Sequence, residues 1–206
     1  VAARRADVIM GPIGIVIADA LLGEITPAMA DALYVGLSTD TGCFRYSNTS
    51  PQTHRTAAAL QEAGAGIKKI NHELFEIKSR SRLETEAYLL RNMEFYYDGR
   101  IGLALLPDAV LDEYGATEDD IDAIAGFART IKGVEIGALL RECAGGSKVS
   151  LRTDENLWNA AEICLLLGGG GHAAAAGASL NCSIEELREK VLQVLGRVTG
   201  CTMKKA

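Results

Sequence analysis

The run of small residues at positions 168–177 carries the residue types whose chemistry is easiest to interpret. Four consecutive glycines precede His172, and alanines follow it. Because glycine has no Cβ, a ligand can approach the backbone closely, and amide groups can point at it. The run therefore predicts a loop that holds an anionic group such as phosphate. The alternative is a flexible linker that leads into a small-residue helix, but the apolar residues 165–167 and the apolar-rich residues 178–180 flank the run.

A second stretch, residues 37–47, places the carboxylate of Asp40 among hydroxyl-bearing residues, with Arg45 five positions later. Hard oxygen ligands of this kind suit a divalent cation. Alternatively, Asp40 caps a helix or a turn through the neighbouring backbone. The residues alone leave both roles open. His54 and His72 lie on segments of mixed polarity, where a surface histidine is the simpler interpretation than a ligand.

The bulk composition limits the classes of partner. The chain has 206 residues, 48% of them hydrophobic, which is enough for one large domain or two small ones. A net charge of −6 argues against long duplex nucleic acid as a partner but allows a nucleotide in a local basic pocket. Five cysteines without a C-x-x-C spacing are typical of reduced cytoplasmic thiols. The apolar segment 13–20 is too short to cross a membrane, so we expect a cytoplasmic protein without a membrane partner.

The elements that must position these residues alternate between helices and strands, which predicts an α/β fold. The predicted helices cover residues 13–22, 81–96, 117–126 and 156–167, with further helices starting at Pro27, Pro51 and Ser183. The predicted strands cover residues 100–106, 134–141 and 148–152, and a short strand ends at Leu180. Gly145 and Gly146 predict a hairpin between the second and third strands. We place the domain boundary within or just before the helix at 81–96.

Taken together and in their order along the chain, residues 37–47 and residues 168–177 resemble the DHH phosphoesterase superfamily. Residues 38–42 are similar to its last metal-binding motif, with Asp40 at the ligand position. Residues 169–177 are similar to the G-G-G-H-x-x-A-A-G signature of the DHH-associated C-terminal domain, and residues 149–152 to the strand that faces the substrate there. Residues 44–49 and 131–135 are typical of the bifunctional oligoribonuclease and pAp phosphatase subgroup.

The resemblance implies an α/β architecture of two domains. Residues 1–80 would form the C-terminal part of the DHH catalytic domain, and residues 81–97 a linker helix. Residues 98–206 would form the smaller DHH-associated, substrate-binding domain. The implied activity is hydrolysis of short oligoribonucleotides or of 3′-phosphoadenosine 5′-phosphate, with a nucleotide or short RNA as partner and a homodimer as a possible assembly.

The implied site joins metal and phosphate chemistry. In this family two divalent ions, usually manganese, bridge a hydroxide and polarise the phosphate. Asp40 would bind the metal, and no further catalytic side chain is implied. The implied substrate-binding residues are Arg152, Gly169, Gly170, Gly171 and His172. Arginine suits phosphate because its planar fork offers paired hydrogen bonds. Arg129 and Arg141 are weaker candidates, for which a surface or helix-capping role is the alternative.

The chain also departs from the family pattern. The other metal ligands, including the Asp-His-His triplet, do not occur here, and the aspartates before Asp40 are Asp7, Asp19 and Asp31. Since one carboxylate cannot assemble a dinuclear site, we expect the chain to be the C-terminal part of a phosphoesterase and catalytically incomplete. Hydrolysis of cyclic or linear dinucleotides, a non-catalytic nucleotide-binding module, and an editing appendage like that of alanyl-tRNA synthetase are the alternatives.

Overall fold

A computed structural model describes residues 25–200 and residue 205. The chain divides into two units, Val1–Lys78 and Ser79–Ala206. The helix predicted at residues 13–22 lies outside the described residues. In the described part of the chain, no helix has both the length and the apolar surface that crossing a membrane requires.

The described part of the first unit is helical. Its helices are α1 (Pro27–Asp40), α2 (Pro51–Glu62) and α3 (Ile67–Asn71), which continues into a π-helical turn (His72–Glu76). The helix starts predicted at Pro27 and Pro51 are confirmed. The Thr26 side chain accepts a hydrogen bond from the Met29 amide, and Ser50 and Thr53 form a capping box. Their small apolar core consists of Ala30, Tyr34, Leu37, Ala57, Leu60 and Ala65.

The second unit contains a six-stranded sheet with helices on both faces. Its helices are α4 (Arg80–Asn92), α5 (Asp108–Tyr114), α6 (Glu118–Ile124), α7 (Ala160–Leu165) and α8 (Ile184–Thr199), with a 3₁₀ turn at Phe127–Thr130. Its strands are β1 (Glu94–Tyr96), β2 (Ile101–Leu106), β3 (Ile136–Cys143), β4 (Gly146–Thr153), β5 (Gly170–Gly171) and β6 (Ala175–Leu180). The predicted α/β fold is therefore confirmed.

The strands lie in the order β1-β2-β3-β4-β6-β5. Strands β2 and β3 are parallel, and the other neighbours are antiparallel. Because side chains alternate along a strand, Ile136, Ala138 and Leu140 of β3 face a core formed with α7 and α8, whereas Leu139 faces α4, α5 and α6. Helices α4, α5 and α6 lie over β2 and β3.

Two predicted helices are longer than the observed ones. The helix predicted at 81–96 ends at Asn92, because Glu94–Tyr96 pair with β2 to form β1. The helix predicted at 156–167 begins only after Asn159, whose side chain accepts from the amides of Ala161 and Glu162. The hairpin predicted around Gly145 and Gly146 is confirmed, since Cys143 pairs with Gly146.

Strand β1 is tied to α8 by a half-buried polar cluster around Glu94. The Glu94 carboxylate accepts from Arg188 Nε and from Lys205 Nζ, each at 2.8 Å, and from the Tyr96 hydroxyl at 2.7 Å. Burial alone would raise the pKa of Glu94, but the hydrogen bonds from Arg188, Lys205 and Tyr96 reverse that effect and lower it to about 2.

Glu94→Gln should therefore lower the free energy of unfolding by about 1–3 kcal/mol at pH 7, because Arg188 loses the more buried of its two charged partners. Since the folded-state pKa is depressed, the stabilisation is present above the ordinary value of 4.5 and is lost as the pH falls toward about 2. Urea titrations at pH 7 and pH 3 measure both effects. Glu189→Gln, at an exposed partner of Arg188, is the control. Equal losses in the two variants would contradict the prediction.

Candidate functional site

The glycine run forms the edge of the sheet. Gly170 and Gly171 form β5 and pair with Gly177 and Ala176 of β6. The His172 amide donates to the Ala175 carbonyl at 2.8 Å, and the Ala175 amide donates back at 3.1 Å. The run is thus one arm of a tight hairpin whose turn is Ala173-Ala174, and it is neither a linker nor the start of a helix.

The hairpin turn is held by its backbone carbonyls. The Ala173 carbonyl accepts from the Ala160 amide at 2.7 Å and from the Thr153 hydroxyl at 2.8 Å. The Ala174 carbonyl accepts from the Thr153 amide at 3.0 Å. These bonds attach the turn to the start of α7 and to the end of β4, so the position of His172 is fixed on two sides.

Steric crowding explains two of the glycines. A Cβ on Gly169 would lie 2.1 Å from the Gly177 carbonyl oxygen. A Cβ on Gly171 would lie 2.6 Å from the Ala175 carbonyl oxygen, and Gly171 has a φ of +148°. By contrast, a Cβ on Gly170 would meet nothing in the described residues within 4 Å.

The amides of the run are not equivalent. The Gly169 amide donates to the Cys164 carbonyl at 2.8 Å and is therefore already engaged. Since His172 and Ala175 exchange two hydrogen bonds, the neighbouring pair of Gly171 and Ala176 is a non-hydrogen-bonded pair. The Gly171 N–H therefore points away from β6, and, unlike the Gly169 N–H, it does not donate to Cys164.

Strand register brings Arg152 and His172 onto one face of the sheet. Ala175 is directly opposite His172 on one side and Arg152 on the other, and directly opposite residues share a face. The two side chains are thus separated by two strand spacings, about 10 Å, across a small alanine. His172 is exposed and Arg152 half-buried. Leu151 and Ala176 face the core on the other side.

The floor beside this row is made of small residues. The next row of the same face lies two positions along each strand and contains Gly170, Gly177 and Ser150. Gly177 and Ser150 were not predicted as site residues. The alternation of apolar and polar residues at 149–152 was the sequence signal that could have identified Ser150. We define this surface, from His172 and Arg152 to Gly170, Gly177 and Ser150, as the open face.

The two weaker arginine candidates border the open face. Arg129 lies over Gly137, the residue opposite Arg152, and donates to the Val134 carbonyl. Arg141 lies farther along the same side and forms an ion pair with Glu118 at 2.9 Å. The side of the sheet that carries Arg152 therefore also carries Arg129 and Arg141, of which Arg141 is already paired with a carboxylate.

Asp40 is the last residue of α1 and is exposed. The Asn48 side-chain amide donates to the Asp40 carboxylate at 3.2 Å and to its backbone carbonyl at 3.1 Å. A carboxylate at a helix C-terminus is disfavoured by the helix dipole, so helix stability does not account for this residue. The two other histidines have local partners: His54 stacks on Phe44, and His72 contacts Glu76 at 2.9 Å.

The turn that follows Asp40 is strained. Gly42, Cys43 and Phe44 have consecutive φ values of +55°, +56° and +63°, a conformation that costs energy for residues with a Cβ. Gly42 also lies under the Tyr46 ring, where a Cβ would come within 2.3 Å of a ring carbon. Strained turns of this kind cluster at active sites and ligand-binding sites.

The donor set around Asp40 does not by itself fit a dinuclear metal site. Within residues 25–200 and residue 205, no three His, Cys, Asp or Glu side chains are grouped so that they could hold a metal ion. Near Asp40 the structure provides the Asn48 amide and the turn. One carboxylate with these neighbours falls short of the ligand number that divalent ions require.

Two family models match parts of this chain. Residues 104–198 match the family model of the DHHA1 domain, and residues 1–39 match a family described as a domain of unknown function (DUF3842). A structure of an exopolyphosphatase-related protein from Bacteroides fragilis has a TM-score of 0.83 and 24% identity, over 91% of this chain and 55% of that one. This likeness concerns the fold.

Two curated relatives have a higher sequence identity to this chain than that structure has. A bifunctional oligoribonuclease and PAP phosphatase from Thermus thermophilus is 34% identical over 85% of this chain and 52% of the relative. An A-adding tRNA nucleotidyltransferase from Aquifex aeolicus is 29% identical over 84% of this chain and 21% of the relative. The chain thus spans about half the length of the first relative and less of the second. Residues 104–198 therefore belong to the DHHA1 domain family, and the chain is similar in sequence to proteins named bifunctional oligoribonuclease and PAP phosphatase.

The glycines offer a matched stability test. Gly169→Ala should destabilise the protein by about 1–3 kcal/mol, because its methyl group collides with the Gly177 carbonyl. Gly170→Ala should change the free energy of unfolding by less than about 0.5 kcal/mol, because its site is open. Denaturant unfolding measures both variants. A tolerated Gly169→Ala would show that the hairpin packs differently.

Proposed function

We propose that the open face binds the phosphate of a nucleotide or of a short RNA, and that the whole protein hydrolyses short oligoribonucleotides or 3′-phosphoadenosine 5′-phosphate. The observation that carries this proposal is the row of His172, Ala175 and Arg152 beside a glycine floor. The Arg152 guanidinium and the Gly171 amide would donate to phosphate oxygens, and His172 would contact the phosphate or the sugar.

The names of the relatives support this reaction class. Relatives named oligoribonuclease and PAP phosphatase occur in several bacteria. A relative that matches 84% of this chain is named an A-adding tRNA nucleotidyltransferase, which is a different reaction on RNA. A region shared by such enzymes is better explained by a role in holding nucleotide or RNA than by one reaction step.

The catalytic part of the proposal rests on the family. A divalent ion, manganese in our proposal, would supply charge neutralisation and activation of water when bound in the whole protein. Asp40 would be one ligand, and the described residues supply too few donors around it to complete the site. We therefore propose that this chain is catalytically incomplete. A cytoplasmic location and a homodimer stay predictions.

Arg152→Ala should weaken AMP binding by about 10- to 100-fold, because a charge-assisted pair to phosphate is lost. Arg152→Lys should recover part of the affinity, since the charge remains without the planar fork. His172→Ala should weaken binding by a smaller factor. Isothermal titration calorimetry provides the measurement, with Arg80→Ala and His72→Ala as controls at exposed positions. Unchanged affinity in Arg152→Ala would refute the proposed site.

Metal dependence distinguishes a binding module from a surviving catalytic site. We expect AMP to bind equally well with manganese and with EDTA, and Asp40→Asn to leave that affinity unchanged. The same chain should hydrolyse a diadenosine dinucleotide little when manganese is added. Rapid hydrolysis that Asp40→Asn abolishes would contradict the proposed incompleteness and would place a working metal site near Asp40.

A further inference from the structure

The face of the sheet that carries the open face continues beyond Ser150 to Lys148 and Arg141, which we call its far end. Lys148 lies directly opposite Arg141 on β3 and Ser179 on β6, in the row beyond Ser150. Because it is four residues from Arg152 on the same strand, it shares the face of Arg152 at a distance of about 14 Å. A short extended oligonucleotide bound at Arg152 and running along β4 would reach this row.

The charges at the far end are already offset by the acidic first turn of α6. The Glu118 carboxylate accepts from Arg141 Nη1 at 2.9 Å, and its side chain is 72% exposed. The hydrogen bond from Arg141 and the nearby charges of Arg141 and Lys148 lower the pKa of Glu118, so it is ionised at neutral pH. Asp122 also lies in the field of Arg141. Two cations and two carboxylates therefore meet here, with no formal net charge.

Helix α6 holds Glu118 in a defined position. Thr117 and Asp120 form a capping box at its start. The Asp120 carboxylate also accepts from the hydroxyls of Ser79 at 2.6 Å and Ser81 at 3.1 Å, which attaches α6 to the start of α4. The acidic turn is consequently a fixed part of the border of the open face.

We propose that Glu118 determines substrate length, by placing a fixed negative charge at the far end of the open face and occupying Arg141. The proposal rests on the proposed function of that face. A phosphate at Arg152 and His172 meets the Arg152 guanidinium and the outward Gly171 amide. A phosphate carried by a longer strand to Lys148 meets an arginine that is already paired, Arg141, and a carboxylate that repels it. Short substrates therefore retain their affinity, and longer ones gain nothing from their extra phosphates.

The experiment compares two probes in the full chain. The dissociation constants of a 5′-phosphorylated diadenosine and of a 5′-phosphorylated hexa-adenosine RNA are measured by competition fluorescence anisotropy at low salt. Glu118→Gln should tighten hexanucleotide binding by about three- to fivefold and change dinucleotide binding by less than about twofold. The gain should shrink at high salt, because an exposed charge is screened.

Glu185→Gln is the matched control, since it removes an equal charge from α8 on the opposite face of the sheet. Its hexanucleotide affinity should equal that of the wild type. If the wild type binds neither probe, the proposed function fails, and the length inference fails with it. If the wild type binds both probes and Glu118→Gln leaves their ratio unchanged, or Glu185→Gln changes it equally, the length inference alone is refuted.

Discussion

The backbone register of β4, β6 and β5 is the constraint on which the candidate site depends. It aligns Arg152, Ala175 and His172 in one row, and a slip of one residue would turn each side chain to the opposite face. The Ala173 carbonyl prevents such a slip, because its two acceptor bonds join the hairpin turn to β4 and to α7. The small residues of β5 and β6 specify little register through packing, so these bonds matter more than side-chain contacts do.

Much of the fold could be predicted from the sequence, because several elements are signalled locally. The caps at Thr26, Ser50 and Ser183 mark where helices begin, and glycine pairs mark the hairpin between β3 and β4. The sequence does not predict strand β1, although Phe95 and Tyr96 favour strands, because residues 94–96 are too few to show a strand period directly after a helix. They are extended because they pair with β2 and because Glu94 binds Arg188, which is 94 positions away.

The sequence names the residues of the candidate site but not their arrangement. The motif at 169–177 and the alternation at 149–152 identify His172 and Arg152, yet only the pairing of both segments with β6 puts them in one row. The sequence suggests three equivalent glycine amides. The structure distinguishes them, because the Gly169 amide is used by Cys164 and the Gly171 amide points outward. Glycine conformations are too permissive for such a distinction to be made from sequence.

Strand β5 has a consequence for solubility as well as for binding. An edge strand exposes unpaired backbone groups that can recruit a strand from another molecule, and long flat edges promote aggregation. Here the edge consists of two exposed glycines, and α7 precedes it by only a few residues. Such a short edge can present an outward amide to a small anion while offering too little length to template a foreign strand. The protein can thus leave unpaired backbone groups exposed at this edge without promoting strand-mediated polymerisation.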